Sequence, residues 1–469
     1  MTDKQISEYI SAPSTQEAIR TALAAIIAIP SVAVEGEAPY VFGVNAAAAL
    51  DKMLEIGRNA GFRTENHDYY CGSILMDGAD PDDEIGIIAH MDVVPAVEGW
   101  QFPRYALTVQ DGLYIGRGVR DDKGPAVSAL TAMKFFKDNN IKLPFTVRLL
   151  LGSDEERGMG DLPHYLESHK APRFSFSPDS EFPVCVGEKG IAEAEVDLGE
   201  LDGGLLALTG GNVTNSVADR AEAVLAPELT DAINALPLPA SITAELRGDN
   251  TVLTAIGKSA HAAHPEGSIN AIVMLAGWLK DSGLFAADSK TVKALTWLCE
   301  SLPDNYGTGL DMACSDEGTG KLTCVCGLAL MRDGHLWANY NIRYPASLTF
   351  EPLFAKMSAV AAKGGYEAKF ISGSRGYVFS PDKPEIAALT AAFASVTGKE
   401  AEPYTMGGGT YARAFPNTVA FGAEFSERQT ALGDGRGGAH ERDECVRIAD
   451  MNTAIHVFIR SLLNLAGLE

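Results

Sequence analysis

The chain has 469 residues, 46% hydrophobic and 21% charged, and its 38 basic against 62 acidic side chains leave a net charge of −24. That length holds more than one domain with ample core for each. So large an acidic surplus repels phosphate backbones and anionic membrane surfaces, which argues against nucleic acid as a partner.

In chain order, the first third alternates helical and extended patterns. Residues 14–29 and 44–60 carry apolar side chains at three- and four-residue spacing, the period of an amphipathic helix. The apolar run 23–29 stops at Pro30, far short of the ~20 residues of a membrane span. Residues 1–16 lack the basic start and apolar stretch of a signal peptide. Seven cysteines without a C-x-x-C spacing read as buried thiols in a reducing compartment. The expectation is a cytoplasmic protein with no membrane contact. Residues 84–90 and 145–152 are apolar runs too short for helices and read as strands buried in a sheet. Between them, Asp121-Asp122-Lys123-Gly124-Pro125 reads as a helix start, with helical periodicity through residue 136. Strand, helix and strand in succession predict an α/β layer around a mainly parallel sheet.

From about residue 188 to 380 the segments shorten and become Gly/Ala-rich. Strands are expected at 191–197, 241–246, 251–256, 322–329 and 335–343, with a helix over 268–283. Helical pattern returns at 383–396 and again at 447–466. The organisation expected is an α/β domain in two segments, 1–187 and 381–469, interrupted by an inserted α+β domain, 188–380.

Five polar sites fall where a parallel sheet would gather them, beyond the carboxyl ends of its strands. His90 and Asp92 follow the first apolar run, and Asp154-Glu155-Glu156 follows the second. Asp179 follows another short extended stretch, Asp121 is read as opening the intervening helix, and His440 lies in a glycine-rich loop. Two imidazoles and several carboxylates aimed at one edge fit a metal centre of borderline hardness. Adjacent residues at a strand end point opposite ways, so one of Glu155 and Glu156 is expected to ligate while the other faces water. Gly407-Gly408-Gly409-Thr410-Tyr411 lacks the Gly-Lys-Ser/Thr ending of a phosphate loop and reads as a tight turn with backbone amides for a carboxylate. His67, His164, His169, His335 and His456 have no motif around them and read as structural or surface residues.

The ordered set HMDVVP, GxxDDKGP, DEER, SPDSEFPV, GKSAH, NIRYP, GGGTYAR and GGAHERDE resembles the two-zinc peptidases and amidohydrolases that include aminoacylases and carnosinases, most closely their bacterial PepV-type dipeptidases. The resemblance implies two divalent ions, zinc with manganese or cobalt as alternatives, bridged by Asp121. His90 and Asp179 would hold one ion, and Glu156 and His440 the other. It implies Glu155 as general base and acid, Asp92 as the carboxylate that orients His90, and His261 as the oxyanion donor, with His264 a rival. Asn215, Arg343 and the loop at Gly408 and Gly409 would grip the substrate. The function implied is hydrolysis of small unblocked dipeptides by a monomer, the inserted domain serving as a lid. Deacylation or desuccinylation of N-acyl amino acids within the family is the alternative, and a non-catalytic metal or peptide binder is the alternative of another class.

Overall fold

The apolar runs expected as buried strands form the centre of a sheet. The computed structural model describes residues 2–425, 432–433 and 435–468. They divide into two units: Met1–Val186 with Phe379–Tyr404 and Thr410–Glu469, and Gly187–Val378 with Thr405–Gly409.

In the first unit the strands run in the order Arg63–His67, Cys71–Met76, Phe145–Gly152, Asp80–His90, Phe174–Ser177, Thr418–Phe421 and Val184–Glu188. The three central pairings are parallel and those flanking them antiparallel. Every residue of Phe145–Gly152 is buried, as expected of a strand covered on both faces. Ile85, Ile87, Leu149, Leu151 and Phe176 are buried in this core, each side chain contributing roughly 1.5–3 kcal/mol. The helices Pro13–Ile27, Val44–Asn59, Pro384–Thr397 and Ile448–Leu465 lie within about three residues of the predicted spans.

The helix Lys123–Asp138 packs on the two central strands, on Pro13–Ile27 and on Ile448–Leu465. A Cβ at Gly124 would sit 1.9 Å from the Val119 carbonyl oxygen, so this helix start admits only glycine. One expectation is corrected here: Asp121 does not open the helix. It precedes the N-cap Asp122, to which a cis peptide bond joins it.

The second unit holds an antiparallel sheet ordered Ile242–Arg247, Asn250–Ile256, Arg220–Leu225, Leu205–Gly210, Thr323–Arg332, His335–Tyr344, Gly190–Glu200 and Glu367–Ser374. Strand Gly190–Glu200 alternates buried and half-buried residues, the pattern of a sheet with one covered face. Helices Ala271–Asp281, Lys290–Ser301 and Phe350–Lys363 share its core. Asn270 caps the first of them by accepting the N–H groups of Ile272 and Val273.

Candidate metal centre

Parallel register sets the geometry. His90 lies opposite Gly152, and Ile87 opposite Phe176, so three strands finish at one edge of the first unit's sheet. The chain leaves that edge carrying His90 and Asp92, then Asp154 to Glu156, then Asp179.

His90 is fully buried, and its Nδ1–H donates to the Asp92 carbonyl at 3.0 Å. Its Nε2 thereby keeps a lone pair for a ligand, and lies 3.0 Å from Asp121 Oδ1 and 3.8 Å from Asp179 Oδ2. The other Asp121 oxygen, Oδ2, is 3.0 Å from His440 Nε2, which is in turn 3.1 Å from Glu156 Oε2. One carboxylate therefore faces an imidazole on each side. Two overlapping groups result, His90–Asp121–Glu156 and His90–Glu155–Asp179, each with its candidate ligand atoms within 4.8 Å of one another.

The electrostatics favour bound cations. Burial, with neighbouring acids adding to it, pushes Glu155 and Asp179 well above the carboxylate range, and Glu156 is raised for the same reasons. Burial also opposes charge on His440, but Asp121 and Glu156 more than offset it and raise this imidazole to about 11. Asp121 is held below its usual range because the two imidazoles outweigh the effect of its burial. Acids packed this closely repel one another unless positive charge sits among them. Imidazole and carboxylate donors in this arrangement fit divalent cations.

Residues 155–158 form a turn beyond the strand end, so the expected divergence of Glu155 and Glu156 along a strand does not apply. Both glutamates converge on His90 instead. Asp92 explains how. Its carboxylate lies 3.4 Å from His90 Nδ1, while Oδ1 and Oδ2 accept the backbone N–H groups of Glu155 at 3.2 Å and Glu156 at 3.1 Å.

Asp161, Arg117 and Glu444, which the sequence reading did not single out, brace these turns. Asp161 Oδ2 accepts the N–H groups of Ser153 and Asp154 and the Tyr411 hydroxyl, at 2.6, 3.0 and 2.5 Å. Burial raises its carboxyl to about 6 against these bonds. Gly152 makes room, since a Cβ there would stand 1.8 Å from the Tyr411 hydroxyl. On the other side, Arg117 Nη1 meets Glu444 Oε2 at 2.6 Å in a fully buried pair. Glu444 accepts the N–H groups of Gly118, Arg120 and Asp121, while Arg117 Nη2 donates to the carbonyls of His440 and Glu441. That ion pair fastens the loops of both Asp121 and His440, and His440 itself sits at φ 63°.

The remaining candidates belong to the second unit. An antiparallel bridge pairs Ser216 with His261, and Ala262 N–H donates to the Asn215 carbonyl at 2.9 Å, setting Asn215 beside His261. His261 Nδ1 accepts from Ala263 N–H at 3.3 Å, which places the ring proton of a neutral imidazole on Nε2. Arg343 is 5% exposed and donates through Nε to Asn341 Oδ1 at 2.8 Å and through Nη1 to the Gly407 carbonyl at 3.0 Å. Gly408 and Gly409 follow, half-buried, in the same loop. Of the histidines without motifs, His67 pairs with Ser73, His164 with Asp68, His335 with Asp197 and His456 with Asp3, while His169 stacks on Tyr165. Among the described residues no helix is long and apolar enough to cross a membrane.

Known proteins resemble this chain over nearly its whole length. Residues 86–464 match peptidase family M20/M25/M40. A Bacillus subtilis (strain 168) protein named as a dipeptidase, YtjP, is 31% identical over 441 residues, covering 91% of this chain and 92% of the relative. Human carnosine dipeptidase 1 shares the fold with a TM-score of 0.60 at 15% identity, over 99% of both chains. The dipeptidase Dug1p of Saccharomyces cerevisiae does so with a TM-score of 0.59 at 13% identity, again over 99% of both.

Proposed function

The chain belongs to peptidase family M20/M25/M40, and from that premise we propose that it is a metal-dependent dipeptidase acting on short unblocked dipeptides. Asp121 would be the ligand shared by two divalent ions, His90 and Asp179 would hold one of them, and Glu156 and His440 the other. Zinc suits this mixed set, and manganese and cobalt are the alternatives. Bound there, the ions would polarise the scissile carbonyl and make water acidic enough to attack it near neutral pH.

The side chains do the rest. Glu155 takes the proton of the attacking water and delivers it to the leaving amine nitrogen. Asp92 holds the backbone of Glu155 and Glu156 together, which keeps the base and the neighbouring ligand at a fixed separation. In the second unit His261 presents its Nε2 proton for the developing oxyanion. Arg343 is read as the partner of a C-terminal carboxylate, which a guanidinium binds through parallel hydrogen bonds, and Asn215, Gly408 and Gly409 are read as further substrate contacts.

The observation that carries this is the Asp121 carboxylate, with one oxygen 3.0 Å from each of two imidazoles. Metal-loaded protein is expected to hydrolyse unblocked dipeptides such as Ala-Leu and to leave N-acetyl amino acids intact in a side-by-side assay. The reverse preference would make it a deacylase. Dipeptide binding without cleavage would make it a non-catalytic binder.

A further inference from the structure

Asp161 is fully buried at the first residue of the helix Asp161–Ser168. Both of its oxygens meet donors. Oδ2 accepts the N–H groups of Ser153 and Asp154 and the Tyr411 hydroxyl, while Oδ1 accepts the N–H of Leu162 at 2.8 Å. A Cβ at residue 152 would stand 2.4 Å from Oδ2, so these donors converge on it only because that residue is glycine. Three donors on one oxygen suit a full negative charge. Hydrogen bonds to an ionised acceptor are roughly twice as strong as those between neutral groups, so a proton on either oxygen would weaken all three. Two of them hold Ser153 and Asp154, where the chain leaves strand Phe145–Gly152 for the turn that carries Glu155 and Glu156. The third ties this support to the centre, because the Tyr411 ring also packs edge-on to His90, with centroids 6.2 Å apart.

Several titratable groups face Asp161. They are Tyr411 from the short helix Tyr411–Arg413, Cys71 from strand Cys71–Met76, Asp92 beyond strand Asp80–His90, and Asp154, whose own carboxylate pairs with Arg157 at 2.9 Å. Burial raises the Asp161 carboxyl, the Tyr411 hydroxyl lowers it, Asp92 raises it and the two backbone N–H groups lower it, leaving it at about 6. Above that pH the carboxyl is ionised, and below it the carboxyl takes a proton. We infer that Asp161 is a positioning residue: its carboxylate, supported by the Tyr411 hydroxyl, keeps the turn of Glu155 and Glu156 in working geometry, and its protonation slackens that turn and slows turnover. This rests on the dipeptidase reading, with Glu155 as the base.

The experiment is the pH profile of kcat for Ala-Leu at saturating zinc, run on the whole protein. Wild type is expected to lose kcat as the pH falls through about 6. Tyr411→Phe removes a donor that favours the ionised carboxyl, so Asp161 protonates more easily. The acid limb should then move up by about one pH unit or more, the scale of one hydrogen bond to a charged group. Asp161→Asn keeps the shape of the acid but is neutral at every pH, and should hold kcat low across the whole range. A wild-type profile that stays flat through about pH 6 overturns the inference without recourse to any variant. So does an acid limb that Tyr411→Phe leaves in place or moves down, and so does wild-type kcat in Asp161→Asn. Cleavage of Ala-Leu with an unmoved limb sinks this inference alone, whereas no cleavage of Ala-Leu at any pH overturns the dipeptidase reading and this inference with it.

Discussion

Glu155→Gln is expected to retain its metal and to hydrolyse dipeptides about 10²–10⁴-fold more slowly, the usual worth of a positioned general base. The substitution keeps size and hydrogen-bonding shape but cannot accept the water proton. The backbone of Glu155 is fixed independently of its side chain, since its N–H is held by Asp92 Oδ1 at 3.2 Å. The fold around it should therefore survive. Kinetics on protein of measured metal content check the role. His90, Glu155 and Asp179 also form one of the two candidate ligand groups, and the same experiment separates base from ligand. A variant that loses metal would make Glu155 a ligand, and one with near-normal turnover would leave it without a chemical part.

Asp121→Ala is expected to release the metal and with it all turnover. The Asp121 carboxylate lies between two imidazoles, 3.0 Å from each, and no other carboxylate among the described residues approaches both rings so closely. Removing it takes a donor from both sites at once. Metal affinity should fall by more than the roughly 10–100-fold cost of losing an outer-shell partner. Elemental analysis after gel filtration measures this, and two retained equivalents would contradict a bridging role.

Much of this was legible in the sequence because the relevant signals are short-range. Residues 84–90 and 145–152 are apolar on both faces, and only a doubly covered strand needs that. Functional groups follow such strands directly, so His90, Glu155, Glu156 and Asp179 could be named from their place after a run. What the pattern could not convey was the shape of the turns. Asp154 to Glu156 leave the strand as a turn fastened by Asp92 and Asp161, so the alternation of strand side chains was the wrong guide to Glu155 and Glu156. Asp121 precedes its helix and does not begin it. Arg117 and Glu444 gave no local signal, because an ion pair between residues so far apart in sequence is visible only once the chain is folded.

In the second unit the strands Leu205–Gly210 and Arg220–Leu225 were missed. They are rich in Leu and Ala, residues favoured in helices, and pairing in the sheet overrides that preference. Strand Glu367–Ser374 is mostly exposed at a sheet edge, so no hydrophobic period marks it. His261 and Arg343 were reached only through motif resemblance. In the structure His261 Nδ1 accepts the Ala263 N–H and the Arg343 guanidinium donates to the Gly407 carbonyl.

Metal titration bears most directly on the dinuclear hydrolase proposed here. Protein stripped by a chelator should not cleave Ala-Leu, and adding zinc, manganese or cobalt should restore hydrolysis that levels off at two equivalents per chain. Full activity in the stripped protein, or saturation at a single equivalent, would contradict it.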